Sequence, residues 1–233
     1  MDVYFPMAGQ GARFGHTFKP FLTIGDQAFI AAAVKPFRAF ADRIGRFVFV
    51  YLAQQERDFG VRARLAEMFA GLRFETVLLD TPTRGPAETI GRAVQQLGAH
   101  GPALVCDCDH ALDVAPLFAV REPYAALLPV WPLAGESLAA WSVAMVDNDR
   151  VLAIAEKRMP EGVGGTPMGV IGCYGVADIG DVAARAEALR ATNFSEVIAQ
   201  LLAERQVVRA ARIESATFFG DPERLAKAQT GVQ

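Results

Sequence analysis

Short β-favouring runs and helix-like stretches alternate through the first half of the chain. Val3–Met7, Arg46–Ala53, Arg73–Asp80 and Ala103–Asp107 are rich in apolar, strand-favouring residues. Between them, Ala28–Phe40, Glu56–Phe69 and Ala87–Leu97 are each long enough for about three helical turns. Parallel neighbours need a long crossover, normally helical, so a βαβαβαβ order predicts a mostly parallel sheet with helices on both faces. The second half changes character. Tyr124–Trp131, Ala140–Val146, Val151–Glu156 and Met168–Val176 read as successive strands, with Asp147-Asn148-Asp149 as a hairpin turn. Helices are expected at Ile179–Arg190 and Phe194–Glu204, then a strand near Val207–Ile213 and a short helix from Pro222. No linker-like or low-complexity stretch interrupts the 233 residues, so the expected architecture is a single α/β domain with a mixed, mostly parallel sheet.

The first strand runs into MAGQGARFGHTFKP, residues Met7–Pro20. Gly9 and Gly11 lack a Cβ, so the backbone after Ala8 can turn tightly and bring its N–H groups close to a ligand. Arg13 and Lys19 add two positive charges to the same loop, and donors plus cations make a site for a polyphosphate. Two other phosphate motifs fit less well. A dinucleotide fingerprint needs a third glycine in register and an acid about 20 positions on. Here Gly15 falls one position late and the second strand ends in Gln54 and Gln55. A P-loop needs a lysine directly after a glycine, and the chain has none.

With its continuation FLTI, this loop resembles the GxGxRxxP…PKxLxPI signature of sugar-nucleotide pyrophosphorylase-type nucleotidyltransferases, although Phe14 and Gly15 stand where a proline often follows the arginine. The resemblance implies a Rossmann-like nucleotidyltransferase fold. It also implies an enzyme that joins a nucleoside triphosphate to a phosphorylated small molecule and releases pyrophosphate. Arg13 would then meet the leaving pyrophosphate and Lys19 the reacting phosphates. Later segments extend the likeness over most of the chain.

LVCDCDH, Leu104–His110, ends an apolar run in two aspartates one residue apart. In an open parallel sheet, ligands bind beyond the carboxyl ends of the strands, where these carboxylates fall. If the strand continued through them, Asp107 and Asp109 would share a side. Two hard oxygen donors suit Mg²⁺, which takes one or two protein carboxylates and fills its shell with water and phosphate. In the resembled family one aspartate here binds the metal, a role that falls by position to Asp109, with Asp107 as second ligand or orienting group. TPTRGPAET, Thr81–Thr89, resembles the family loop that reads the nucleobase, which nominates Thr83, Gly85, Pro86 and Ala87; Gly-Pro is equally an ordinary helix start. AEKR, Ala155–Arg158, matches a Glu-Lys pair that holds the acceptor, and GVIGCYGV resembles the strand that follows it. Glu156, Lys157 and Gly172 are therefore the acceptor-side candidates. TFFGDPERL, Thr217–Leu225, resembles the closing D-x-G-T-P-E-x-L element, but Phe218 replaces the aspartate that often supplies a second metal ligand. Asp221, before Pro222, is expected to cap the last helix.

Composition is consistent with this class. A net charge of −3 and a sequence pI near 5.7 indicate neither a nucleic-acid surface nor a polyanion partner. No apolar run reaches the ~18 residues of a membrane span, and no signal pattern opens the chain. Cys106, Cys108 and Cys173 form no CxxC pair, so packing roles and a cytoplasmic location are expected. The oligomeric state, including a homo-oligomer, is open, as are the base, with a slight lean to a pyrimidine, and the acceptor. The acceptor could be a sugar 1-phosphate, a non-sugar phosphate such as phosphocholine, or a molybdopterin. A glycosyltransferase of related fold would use a nucleotide sugar instead, and a degenerate relative would bind nucleotide without turnover.

Overall fold

The computed structural model describes residues 1–11, 14–15, 17–133 and 135–230. In chain order the first half comprises β1 (Asp2–Pro6), the small hairpin β2 (Thr23–Ile24) and β3 (Gln27–Ala28), α1 (Phe29–Val34), β4 (Phe47–Leu52), α2 (Ala53–Phe59), α3 (Val61–Met68), β5 (Phe74–Leu79), α4 (Pro86–Leu97), β6 (Ala103–Cys106), β7 (His110–Leu112) and α5 (Ala115–Ala119). The second half comprises β8 (Ala126–Pro132), β9 (Ser142–Asp147), β10 (Arg150–Glu156), β11 (Thr166–Val170), β12 (Cys173–Val176), α6 (Ile179–Ala188), α7 (Phe194–Ala203), β13 (Val208–Arg212), β14 (Ala216–Phe218) and α8 (Pro222–Thr230).

Ten strands form one mixed sheet in the order β11-β9-β10-β13-β8-β12-β6-β1-β4-β5. The run β6-β1-β4-β5 is parallel throughout, as the alternation predicts. β12 enters antiparallel between β6 and β8, and the β9–β10–β11 end is antiparallel. All six residues of β4 are buried, as expected for a parallel strand covered on both faces. Its pleat sorts them: Phe47, Phe49 and Tyr51 join an aromatic-rich core with α1 and α3, while Val48, Val50 and Leu52 join an aliphatic core with α4, α6 and α7. The Asp147–Asp149 turn closes the β9–β10 hairpin, with Asn148 at φ 55°, a left-handed conformation asparagine tolerates well.

Several elements depart from expectation, each for a local reason. The 56–69 helix begins at Ala53 and is cut by Gly60, which caps α2 in the left-handed region. The first expected helix gives way to a 3-10 stretch, Lys35–Arg43, that carries a proline in its first turn. Met168–Val176 divides into two strands, because Ile171 and Gly172 leave one partner for another. The cysteines also differ. Cys106 and Cys173 are direct partners across β6–β12, with Cα atoms 4.0 Å apart and their sulfurs side by side; Cys108 is free and buried. Spacing could not show a pairing that depends on strand register across 67 residues. Among the described residues no helix is long and apolar enough to cross a membrane.

Candidate active site

Two hollows meet beyond the carboxyl ends of β1 and β6. The larger, about 570 Å³, is lined by Ala8, Gly9, Gln10 and Gly11 from the glycine loop, by Lys19, by Thr83, Gly85 and Pro86 ahead of α4, and by Asp107 and Asp109. Segments near residues 10, 20, 85 and 108 thus share one cavity. Arg13 lies outside the described residues.

The glycine loop is held from two sides. Met7 N–H donates to Val50 O at 2.7 Å, and Gln55 Nε2 donates to Gly9 O at 3.0 Å. Gln55 is buried at the start of α2, where its side chain also accepts the Leu52 N–H. The glutamine that argued against a dinucleotide fold therefore pins the loop. Gly11 sits at φ 63°, and a Cβ there would collide with Thr17 O, so glycine is required twice over. A Cβ at Gly9 would meet nothing within 4 Å, which leaves its face open to the cavity.

Around α4 the structure refines the expectation. Gly85 precedes Pro86 at the helix start, and Thr83 Oγ1 lies 2.7 Å from Thr89 Oγ1. The close approach that Gly85 permits is to the chain itself: a Cβ would lie 2.5 Å from Thr192 O. Ala87 N–H also donates to Thr192 O, at 3.1 Å. Ala87 is not a lining residue. The helical turn after Pro86 carries it into the aliphatic core, and Thr89 reaches the cavity instead.

β6 ends at Cys106, so no pleat continues through Asp107 and Asp109, yet both face the cavity while Cys108 between them is buried. Asp107 N–H donates to Gly172 O at 2.7 Å, and a Cβ on Gly172 would strike the Asp107 carboxylate. A Cβ on Gly220 would come within 2.7 Å of Asp109 Oδ2. Each carboxylate thus lies in a notch left by a glycine. Lys19 Nζ donates to Asp109 Oδ2 at 2.6 Å and to Gly220 O at 2.8 Å, and His110 Nδ1 lies 3.4 Å from Asp109 Oδ1. Burial and the neighbouring Asp109 charge push the Asp107 carboxyl above the usual carboxylate range. Burial would raise Asp109 as well, but the His110 contact and the Lys19 charge hold it below the usual carboxylate range.

The smaller hollow, about 210 Å³, shares Asp107 and Asp109 and runs past Gly172 to Trp141, Phe218 and Arg224. The two-stranded pairing of β14 with β7 sets Phe218 opposite His110 and carries Gly220 up to Asp109. Asp221 Oδ1 accepts the Arg224 N–H at 2.9 Å, the cap expected from Asp-Pro. Glu156 does not line either hollow, because its Oε2 accepts from Ser142 Oγ at 2.5 Å and Ser195 Oγ at 2.9 Å. Lys157, exposed at φ 54°, stands outside both walls while its N–H donates to Trp141 O. Gly172 is thus the one acceptor-side candidate in the wall. Gly220, Trp141 and Arg224 went unread as site residues, and Gln55 was read only as the missing acid; only the FGDP run carried a signal, for Gly220.

The donor set fits a hard cation. Two carboxylates share one cavity, and no group of three or more His, Cys, Asp or Glu side chains among the described residues could enclose a metal, so phosphate or water oxygens would complete a shell. The profile of the family described as MobA-like NTP transferase domain matches residues 6–159. No curated protein sequence matches significantly. Among solved structures, a nucleoside-diphosphate-sugar pyrophosphorylase from Vibrio cholerae has 19% identity and a TM-score of 0.78, covering 98% of this chain and 99% of its own. A putative glucose-1-phosphate thymidylyltransferase from Bacillus anthracis has 20% identity and a TM-score of 0.77, covering 100% and 95%. The inositol-1-phosphate CTP transferase from T. maritima has 15% identity and a TM-score of 0.73, covering 100% and 97%. At these identities the likeness is one of fold.

Proposed function

Since this chain belongs to the MobA-like NTP transferase domain family and is a nucleotidyltransferase of that type, we propose that it transfers a nucleoside monophosphate to a phosphorylated small molecule. The observation that carries this reading is the Lys19–Asp109 pair at 2.6 Å, set in one cavity with the open backbone of Ala8–Gly11 and the start of α4. An ammonium beside the glycine-loop backbone suits a chain of phosphates, and the carboxylate would hold a metal ion that balances their charge.

In the reaction, an oxygen of the acceptor's phosphate forms a bond to the α-phosphorus of the triphosphate. The bond from that phosphorus to the bridging oxygen breaks, and pyrophosphate leaves with the electron pair. No protein nucleophile is needed, because the acceptor oxygen is already anionic. Catalysis comes from alignment and from charge held where charge develops. Ala8, Gly9, Gly11, Thr83, Gly85 and Pro86 receive the nucleotide; Lys19 follows the phosphates and Arg13 takes the leaving pyrophosphate. Asp107 and Asp109 would hold Mg²⁺, which when bound neutralises phosphate charge. Gly172 borders the acceptor, and Lys157, which stands outside both walls, is assigned to the acceptor's phosphate by the resemblance of its Glu-Lys pair alone. Residues 1–233 act as one catalytic unit, and a cytoplasmic location goes with a nucleoside triphosphate substrate.

Sugar 1-phosphates lead the acceptors, with inositol 1-phosphate and phosphocholine next; the likeness to a putative glucose-1-phosphate thymidylyltransferase and an inositol-1-phosphate CTP transferase supports the first two. The test is pyrophosphate release from purified protein with Mg²⁺, each of four nucleoside triphosphates and a panel of these phosphates. Release that requires one nucleotide and one acceptor class supports the reading. Silence across the panel with no nucleotide binding counts against it.

A further inference from the structure

The acceptor side holds an arginine that the reaction above leaves unused. Arg224, in the first turn of α8, lines the 210 Å³ hollow that reaches both aspartates, and also an adjoining hollow of about 480 Å³. Its guanidinium carbon lies 5.0 Å from the ring centre of Trp141 and 5.3 Å from that of Phe218, near enough for cation–π attraction. Nη2 donates to Glu136 Oε2 at 2.9 Å, and Trp141 Nε1 donates to the same oxygen at 3.0 Å. Nε is 3.8 Å from Asp221 Oδ2, too far for a hydrogen bond.

The guanidinium is therefore fixed by two rings and one carboxylate. Among the described residues it donates one hydrogen bond, although a guanidinium carries five N–H donors. It is also the only Lys or Arg among the described residues that line the smaller hollow. A planar cation held by stacking, with donors to spare and a cavity in front of it, is the arrangement that recognises an oxyanion. Phe218 gains a physical account as well. Where the resembled pattern has an aspartate, this chain has a ring, which removes a negative charge beside the hollow and supplies a face for Arg224.

We propose that Arg224 is a specificity-determining residue that binds an oxyanion of the acceptor in the hollow walled by Trp141 and Phe218. This rests on the transfer reading above. The oxyanion is either the reacting phosphate or a second acidic group on the same molecule.

The chain has two tryptophans, Trp131 and Trp141, and each lines one of these two hollows, so tryptophan fluorescence reports on this region. Glucose 1-phosphate, glucuronic acid 1-phosphate and glucose are titrated into the wild type, Arg224→Met and Arg224→Lys. Both phosphates should give a saturable change and glucose none. Arg224→Met should weaken binding by about tenfold or more, with partial recovery in Arg224→Lys, the size expected for a charged hydrogen bond. An equal loss for both phosphates makes the reacting phosphate the bound group; a loss confined to glucuronic acid 1-phosphate makes it the second acid. No saturable change with any probe overturns the proposal. So does an Arg224→Met protein that is folded by circular dichroism and binds both phosphates within about twofold of wild type. Calorimetry with ATP, CTP, GTP and UTP is a separate arm. Absence of nucleotide binding would count against the transfer reading, whereas an Arg224 effect on the sugar phosphates would stand without it.

Discussion

The two ends of the site are built from different materials. The larger hollow is walled by backbone: a glycine loop pinned by Gln55, the turn before α4, and carboxylates seated against glycines. The two smaller hollows beside it are walled by side chains, with two tryptophans, Phe218 and a guanidinium tied to Glu136. The first lies at the parallel part of the sheet, where three consecutive crossovers bring loops beyond the carboxyl ends of the strands. The second depends on the late strand β14 folding back on β7. On the proposed reading, the backbone walls would receive what all triphosphates share, and the side-chain walls what distinguishes one acceptor from another.

The largest effect should come from the point where the two ends meet. Lys19→Met or Asp109→Asn should lower turnover by about a thousandfold with the fold intact. Near-normal rates in either purified variant would move the chemistry away from this junction. The next test concerns the glycine notches. Gly172→Ala and Gly220→Ala place a methyl against Asp107 and Asp109 respectively, and displacement of those carboxylates should cost about 10- to 100-fold in kcat. Unchanged kcat in both would show that the notches do not set the carboxylate positions.

These contrasts also govern what could be read without a structure. The parallel half was legible because β4 and its neighbours are continuous apolar runs and their crossovers are local. The glycine loop, Asp107 and Asp109 were legible because they closely follow β1 and β6, and Lys19 because its Lys-Pro pair lies in the same loop as the glycines. Arg224, Trp141 and Glu136 were not, since Arg224 reaches Glu136 across 88 residues of chain joined only by the fold. Ala87 failed for a smaller reason: one residue of helical phase turns a side chain from cavity to core. The Cys106–Cys173 pair failed because register, unlike spacing, is invisible in a lone sequence.

Smaller effects should separate support from chemistry. Gly85→Ala drives a methyl into Thr192 and should cost about 1–3 kcal/mol in stability, seen as a lower melting temperature. A melt matching wild type would mean that the 191–192 turn yields freely. The smallest effect should be acid-dependent. Hydrogen bonds from the Arg84 side chain and backbone, with help from Arg92, bring the Glu88 carboxyl down to about 2 from 4.5. A carboxylate lowered in the folded state adds stability that is complete above pH 4.5 and fades as the pH falls toward 2. Glu88→Gln should therefore destabilise the protein at neutral pH and lose that disadvantage in acid. Parallel acid-unfolding curves for the two proteins would contradict the assignment.

The most direct test follows the α-phosphate itself. With a triphosphate labelled at that position, Mg²⁺ and the acceptor selected from the panel, wild type should move label into the acceptor in a one-to-one ratio with released pyrophosphate. Lys19→Met should do so about a thousandfold more slowly. Pyrophosphate released without label in the acceptor, or label transferred equally well by Lys19→Met, would contradict transfer at the Lys19–Asp109 junction.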